Sequence, residues 1–486
     1  MDKKIENILP KQRRLYFGGQ WQKPKGGYVE TLNPATGESL GLCAEANAED
    51  VEAAVAAAHK AFAGWRKTTP AFRAAALREI ANVLRANAEE LALIDAANCG
   101  NPVREMMGDA AAAARMLDLS AALAGEVKGD TIPMGDGITN FSVREPFGVC
   151  GRIVAYNHPL MFTAGKAGPA LATGNTVIMK PPYQAPLSAY RFMELVDGIL
   201  PPGVLNVLTC GTPGSQALVA HPLVPRLSLI GSVPTGRAVA RAAADRLKHV
   251  TLELGGKNAC VIYPDADIEK AARAAVDGMN FTWCGQSCGS TSRLFVHRSV
   301  YQQVMGILLK RMQHYKPGIP TEMETTMGSI VSQAQLEKVL GYIEIGKQEG
   351  ATLAYGGNRP ESAELRNGCF VEPTVFTDVR PDMRIAKEEI FGPVLSVIQW
   401  EDEEQMFEDV NAVEYGLTGS IWTTSLANAH RAAASRIEAG YIWVNKASTH
   451  FLGASFGGYK QSGIGREESF EELLSFTQHK NVHITF

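Results

Sequence analysis

Eight cysteines are scattered through the 486-residue chain, and Cys288 is the one whose surroundings suit a reactive thiol. It lies in the run Trp283-Cys284-Gly285-Gln286-Ser287-Cys288-Gly289-Ser290, among small and polar residues. Structural cysteines are usually buried among apolar neighbours and inert, whereas a reactive one needs access and a stabilised thiolate. The flanks leave room for an electrophile, and Arg293 brings positive charge nearby in sequence. A thiol attacking a carbonyl creates an oxyanion, which calls for hydrogen-bond donors. Asn157, in Ala155-Tyr156-Asn157-His158-Pro159, is a candidate donor. Glu253 stands between Leu252 and Leu254, where a carboxylate is costly to bury without a partner or a task, and general-base activation of water is such a task. Plainer readings exist for each: a free thiol in a loop, a turn asparagine before a proline, and a glutamate facing solvent. The Gly255-Gly256 pair that follows marks a close approach of backbone to something.

The elements that must position these residues are legible as alternating runs. Short apolar runs at Val149–Tyr156, Thr176–Lys180, Val204–Leu208, Arg226–Ile230 and His249–Leu254 read as strands. Helical stretches lie between them, at Met161–Thr173, Ala185–Leu200, Gly214–His221 and Pro234–Leu247. This alternation predicts an α/β fold with a parallel, Rossmann-like sheet, whose ligands bind at the carboxyl ends of the strands. Asn157, Lys180 and Glu253 all fall at or just past such ends. Gly231-Ser232-Val233-Pro234 follows the fourth strand and opens a helix, so free N–H groups and the Ser232 hydroxyl can hold a phosphate, although glycine at such a turn is common without any ligand. Lys180 either hydrogen-bonds ribose hydroxyls or faces water.

Upstream, helices are expected over Asn47–Gly64, capped by Asn47 and ended by Gly64, over Pro70–Asn98, and over Ala110–Ala124. The first part of the chain therefore reads as mostly helical. Downstream, strands at Asn258–Tyr263 and Arg293–Val296 and helices at Asp267–Met279, Ser299–Gln313 and Ser332–Glu349 predict a second α/β unit. Val127–Glu145 reads as a β-hairpin leaving the main body, and Ser475–Phe486 as a strand; both are suited to pairing with another subunit.

Composition narrows the function classes. A net charge of −4 with 20% charged residues gives no basic excess for nucleic acid. No apolar run is long enough to span a bilayer, and the charged stretch Met1–Arg14 lacks the apolar core of a secretory signal. The cysteines have neither the spacing of a disulfide framework nor that of a metal site, so no metal is expected and a reducing cytoplasm is the default compartment.

Several motifs together resemble the aldehyde dehydrogenase superfamily over nearly the whole chain. They are Asn33-Pro34-Ala35-Thr36-Gly37-Glu38, Leu252-Glu253-Leu254-Gly255-Gly256-Lys257, Gly285-Gln286-Ser287-Cys288, Glu388-Glu389-Ile390-Phe391-Gly392-Pro393, and Phe456-Gly457-Gly458-Tyr459-Lys460 through Glu467. The resemblance implies oxidation of an aldehyde to a carboxylic acid with NAD or NADP. Cys288 would form a thiohemiacetal and then a thioester, Asn157 would hold the oxyanion, and Glu253 would activate water. Lys180, Ser232, Glu389 and Phe391 would contact the cofactor, with Ile153, Ala155, Tyr183, Gly214, Gly231 and Leu254 around it. Tyr183 stands where relatives often carry a glutamate that grips the 2'-hydroxyl of NAD, so NADP is admitted. Met161, Phe162, Phe451 and Phe456 would line an apolar substrate pocket, and Gly165, where betaine aldehyde enzymes tend to have tryptophan, would open space for a bulky, uncharged aldehyde. The implied organisation is a cofactor-binding domain (1–126 and 147–254), a catalytic domain (255–466) and oligomerisation strands (127–146 and 467–486) in a homodimer or homotetramer. The alternatives are a CoA-acylating dehydrogenase and a non-catalytic binding protein of the same fold.

Overall fold

The computed structural model describes residues 3–486; Met1 and Asp2, which open the charged stretch Met1–Arg14, lie outside the described residues. Two large sheets organise the chain. The first has eight strands in the order Gln20–Gln22, Leu15–Phe17, Leu205–Val207, Thr176–Lys180, Val149–Ile153, Arg226–Ile230, His249–Glu253, Gly463–Ile464. Its five middle neighbours, from Leu205–Val207 to His249–Glu253, are parallel. They are nearly continuous runs of buried residues, as expected for a sheet covered on both faces.

The expected strands are all present, with ends shifted by a few residues at most. The helices depart more. The helix after Asn47 has the expected cap: Asn47 accepts from the Glu49 and Asp50 amides, and the Asp50 carboxylate answers the Asn47 N–H. It does not stop at Gly64 but runs to Trp65, whose buried side chain draws the last turn onto the core. The single helix expected over Pro70–Asn98 is two, Pro70–Ala86 and Ala88–Cys99. At the break, the Asn87 side chain donates to the Val83 carbonyl and so competes with the helical ladder. Met161–Thr173 is a π-helical turn, Met161–Gly165, followed by the short helix Gly168–Ala172. The first part of the chain is also less helical than expected. Leu15–Phe17 and Gln20–Gln22 close one edge of the large sheet, and Tyr28–Leu32 pairs with Ser39–Ala44 as a ribbon. Leu15–Phe17 is apolar and largely buried but only three residues long, Gln20–Gln22 has no buried residue, and the other two mix buried with exposed positions, so no sustained apolar pattern announces them.

The second sheet has seven strands, ordered Thr352–Tyr355, Thr374–Thr377, Val394–Trp400, Arg293–His297, Ala259–Ile262, Thr418–Trp422, Tyr441–Val444. All neighbours are parallel except the pair involving Thr352–Tyr355. A third sheet joins Thr131–Ile132, Ile138–Pro146 and Thr477–Thr485. The hairpin and the tail thus pair with each other inside one chain, from Thr477 opposite Pro146 to Thr485 opposite Ile138, and among the described residues the far edge of Thr477–Thr485 has no strand beside it. Among the described residues, no helix is long and apolar enough to cross a membrane.

Candidate active site

The register of the first sheet gathers the candidates along one edge. Ile153 lies opposite Lys180, and Ile230 opposite Glu253, all at the carboxyl ends of parallel strands. Asn157 follows in the loop after Val149–Ile153. It is buried, its backbone carbonyl accepts from Asn101 Nδ2 at 2.8 Å, and its own Oδ1 has no hydrogen-bond partner. The backbone here is therefore held in place, and the side-chain amide has no partner among the described residues.

Cys288 comes from the second unit, on the segment between the turn at Phe281–Trp283 and strand Arg293–His297. The segment is bent tightly, with Cys284 and Gly285 at φ of +54° and +63°. A Cβ on Gly285 would stand 2.2 Å from the Gly392 carbonyl, so glycine is required there. Asn258 clamps the loop: its Nδ2 donates to the Cys288 carbonyl at 2.7 Å and the Ser290 carbonyl at 2.9 Å, while its Oδ1 accepts from Thr418 N. The Cys288 N–H has no acceptor among the described residues. The close approach announced by Gly255-Gly256 is to Glu389 and to the nucleophile's own backbone. A Cβ on Gly255 would meet Glu389 Oε2 at 2.1 Å, and one on Gly256 the Cys288 carbonyl at 2.6 Å.

Thiol and carboxylate interact. Burial pushes the Cys288 thiol well above the usual thiol range, and the neighbouring Glu253 carboxylate pushes it further. Burial, and then the charge of Glu467, raise Glu253 to about 8; a hydrogen bond from the Cys288 thiol and the charge of Lys166 partly offset this. Glu253 Oε1 has no hydrogen-bond partner among the described residues. Arg293 does not serve the thiolate as its place in the sequence suggested. Its guanidinium is buried and donates to the carbonyls of Lys257, Asp409 and Val410.

Cys288 and Glu253 share a cavity of about 440 Å³ with Met161, Phe162, Trp283, Trp443, Phe451 and Phe456. Of the residues expected to line it, Gly165 does not. A Cβ there would stand 2.7 Å from Met116 Sδ, so the space its missing side chain leaves is filled by the neighbouring helix, and Met116 itself lines the cavity. Besides Glu253, the carboxylates Asp109, Glu467 and Glu468 reach the wall, each matched by a base. Asp109 faces His158 at 2.7 Å, Glu468 faces His450 at 3.1 Å, and Glu467 faces Lys166 at 2.8 Å. Glu467 also accepts from Arg152, which bonds Glu472, and all three are buried. Reading the sequence alone missed this network, as well as Asn258, Trp443 and His450. A lysine and an arginine inside apolar runs, Lys166 and Arg152, were the available signal.

The cofactor candidates fall in two groups. Lys180 ends its strand with an ammonium that no hydrogen bond or ion pair holds among the described residues, and burial lowers its proton affinity. Tyr183 is 40% exposed nearby; the Gly231 N–H donates to the Glu253 carbonyl at 3.0 Å, and a Cβ on Gly231 would meet nothing closer than Leu229 at 3.4 Å. Ser232 caps the helix Val233–Ala244, its hydroxyl 3.0 Å from Thr235 Oγ1. Glu389 is oriented by the Gly256 N–H at 3.0 Å, and Phe391 packs edge-on against Tyr156. These groups fit a dinucleotide: an unpaired cation at a strand end, a helix start with open backbone, and an anchored carboxylate beside the thiol loop. Ile153 and Leu254 are buried beneath them, with Leu254 filling the space left by Gly236, and Ala155 is partly accessible. Gly214 is different. Its open space is taken by the Ala46 carbonyl and Cys210, so its small size serves packing within the chain.

The sequence model of the aldehyde dehydrogenase family matches residues 21–482. This chain belongs to the aldehyde dehydrogenase family. Aldehyde dehydrogenase tropH of Talaromyces stipitatus is 47% identical to it over 488 aligned positions, covering 99% of this chain and 95% of that protein. A betaine aldehyde dehydrogenase of Cereibacter sphaeroides is 41% identical over 477 positions, covering 98% and 97%. Among solved structures, the NAD+ complex of an aldehyde dehydrogenase from Bacillus cereus matches with a TM-score of 0.96 at 39% identity, covering 100% of this chain and 99% of the other. The chain is thus an enzyme of the aldehyde dehydrogenase family, and its α/β architecture is that of the family.

Proposed function

We propose that this aldehyde dehydrogenase oxidises a bulky, uncharged aldehyde to the free carboxylic acid through a covalent intermediate on Cys288. The observation that carries the reading is the pairing, in one cavity, of the thiol with a buried carboxylate, Glu253, whose Oε1 has no partner among the described residues. Because no protein cation stabilises the thiolate directly, Glu253 is the group placed to take the thiol proton. Attack on the aldehyde carbon places negative charge on its oxygen, and the free Cys288 N–H and the Asn157 amide are the available donors. Bound NAD+ or NADP+ supplies the hydride acceptor. Lys180, Ser232, Glu389 and Phe391 hold it, and Tyr183, replacing a carboxylate, leaves a 2'-phosphate unrepelled. Loss of hydride from the thiohemiacetal carbon leaves a thioester, and Glu253 then deprotonates the water that hydrolyses it.

The aromatic and thioether lining favours an apolar substrate body; of the wall carboxylates, Asp109, Glu467 and Glu468 are engaged by bases, and Glu253 is assigned to the chemistry. The unpaired edge of Thr477–Thr485 supports association of subunits into a homo-oligomer. The test is production of reduced cofactor against a panel of aldehydes, with and without CoA, with Cys288→Ala as control. Turnover of aromatic aldehydes in the parent, its loss by orders of magnitude in the folded variant, and free acid rather than acyl-CoA as product are expected. A strong preference for betaine aldehyde would reject the substrate class, and acyl-CoA as product would reject the hydrolytic step.

A further inference from the structure

His158 immediately follows Asn157 and lines the same cavity as Cys288. Its Nδ1 lies 2.7 Å from Asp109 Oδ2, on a second lining residue from the helix Val103–Leu123. Both side chains are withdrawn from solvent, 9% and 8% exposed. The ring stands edge-on to Phe162 and to Trp283, with centroids 5.3 and 4.9 Å away, so its plane is fixed from two sides. Nε2 has no hydrogen-bond partner among the described residues. A carboxylate on Nδ1 sets the tautomer: the neutral ring carries its proton toward Asp109 and leaves Nε2 as a bare acceptor, and the protonated ring turns Nε2 into a donor. An imidazole oriented and left unpaired at the wall of a substrate cavity is costly unless the substrate completes it.

We propose that the Asp109–His158 pair determines substrate specificity by binding a hydroxyl group on the body of the aldehyde, so that the substrate class is a hydroxylated, phenol-like aldehyde. This rests on the aldehyde-oxidising reading above and narrows it. A hydroxyl is the group that satisfies Nε2 in either protonation state, donating to the neutral ring and accepting from the protonated one. His158 makes the contact, and Asp109 is a positioning residue. The remaining wall, with Phe162 and Trp283, suits a ring carrying that hydroxyl.

The experiment compares kcat and KM for benzaldehyde, its three hydroxy isomers and their methyl ethers in the parent and in His158→Phe. The parent is expected to favour one hydroxy isomer over both benzaldehyde and the matching ether by about 10- to 100-fold, mainly through KM, since a site built for a hydroxyl penalises its absence. His158→Phe is expected to erase that preference, read as the ratio of kcat/KM between the hydroxy isomer and benzaldehyde in the same variant. His158→Gln, which keeps a polar group, is expected to restore part of it, and this guards against a merely disordered cavity. A parent that oxidises benzaldehyde with no preference for any hydroxy isomer, or a preference that survives in His158→Phe, overturns the assignment and leaves the aldehyde-oxidising reading intact. Failure of the parent to oxidise any aldehyde with either cofactor overturns that reading, and this inference with it.

Discussion

Replacing Glu253 by glutamine tests the chemistry and the cost of the site together. Its carboxyl is raised from 4.5 to about 8, by burial first and the Glu467 charge second. At pH 7 roughly one molecule in ten then holds the ionised base, and the fraction changes about tenfold per pH unit below 8. If water activation limits turnover, the steady-state rate rises with that slope from pH 6 and flattens above 8. Glu253→Gln removes the base, and hydrolysis is expected to slow by about 10²- to 10⁴-fold. Acylation slows too, because the same carboxylate takes the thiol proton; loaded instead with an activated ester at high pH, Cys288 is expected to keep its acyl adduct, visible by intact mass. The same proton makes a stability statement. Below the unfolded value of 4.5, folded and unfolded states both hold it, so the group contributes nothing. Between 4.5 and 8 the unfolded chain releases it first, so destabilisation grows with pH, reaching up to about 5 kcal/mol above 8 at about 1.4 kcal/mol per tenfold of proton affinity. The glutamine variant, spared that cost, should therefore melt at the parent's temperature near pH 4.5 and several degrees above it at pH 9. Equal hydrolysis rates in variant and parent, or a melting difference that does not grow with pH, would refute the reasoning.

Asn157→Ala should lower kcat by about 10²- to 10³-fold while leaving the circular dichroism spectrum and melting temperature close to the parent's, because the side chain has no protein partner to lose. Gly256→Ala puts a methyl 2.6 Å from the Cys288 carbonyl, so the thiol loop must move; at least a tenfold loss in kcat is expected, with a lower melting temperature, as small-to-large changes in packed regions cost about 1–3 kcal/mol. Arg152→Met leaves Glu472 in the interior without its cation and Glu467 with Lys166 alone; thermal or urea denaturation should show a loss of about 3–5 kcal/mol, partly recovered by adding Glu472→Gln.

How much of this was legible in the sequence depended on where burial is uniform. The parallel strands around Val149–Ile153 are apolar from end to end, so they stood out against the helices between them. In the second sheet, the connection from Thr374–Thr377 to Val394–Trp400 contains only the four-residue helix Arg384–Lys387. With no crossover helix to frame them, those strands gave no alternating signal. Residue types announced Cys288, Glu253 and Asn157. They did not announce Arg293's partners, or that Met116 fills the space beside Gly165, since both depend on groups far away in sequence, backbone carbonyls in the first case and a side chain in the second.

The spacing of the site nevertheless follows from one short segment. Glu253 ends a strand of the first sheet, and Ala259 begins a strand of the second. Between them, Gly256 donates to Glu389, and Asn258 holds the Cys288 carbonyl. One stretch of backbone thus fixes the candidate base, the candidate nucleophile and a candidate cofactor ligand relative to one another. Its two glycines are needed because there is no room for a Cβ between Glu389 and the thiol loop. A shift of either sheet against the other is resisted at this segment, so pre-organisation here comes from the shortness of a strap rather than from a rigid domain interface.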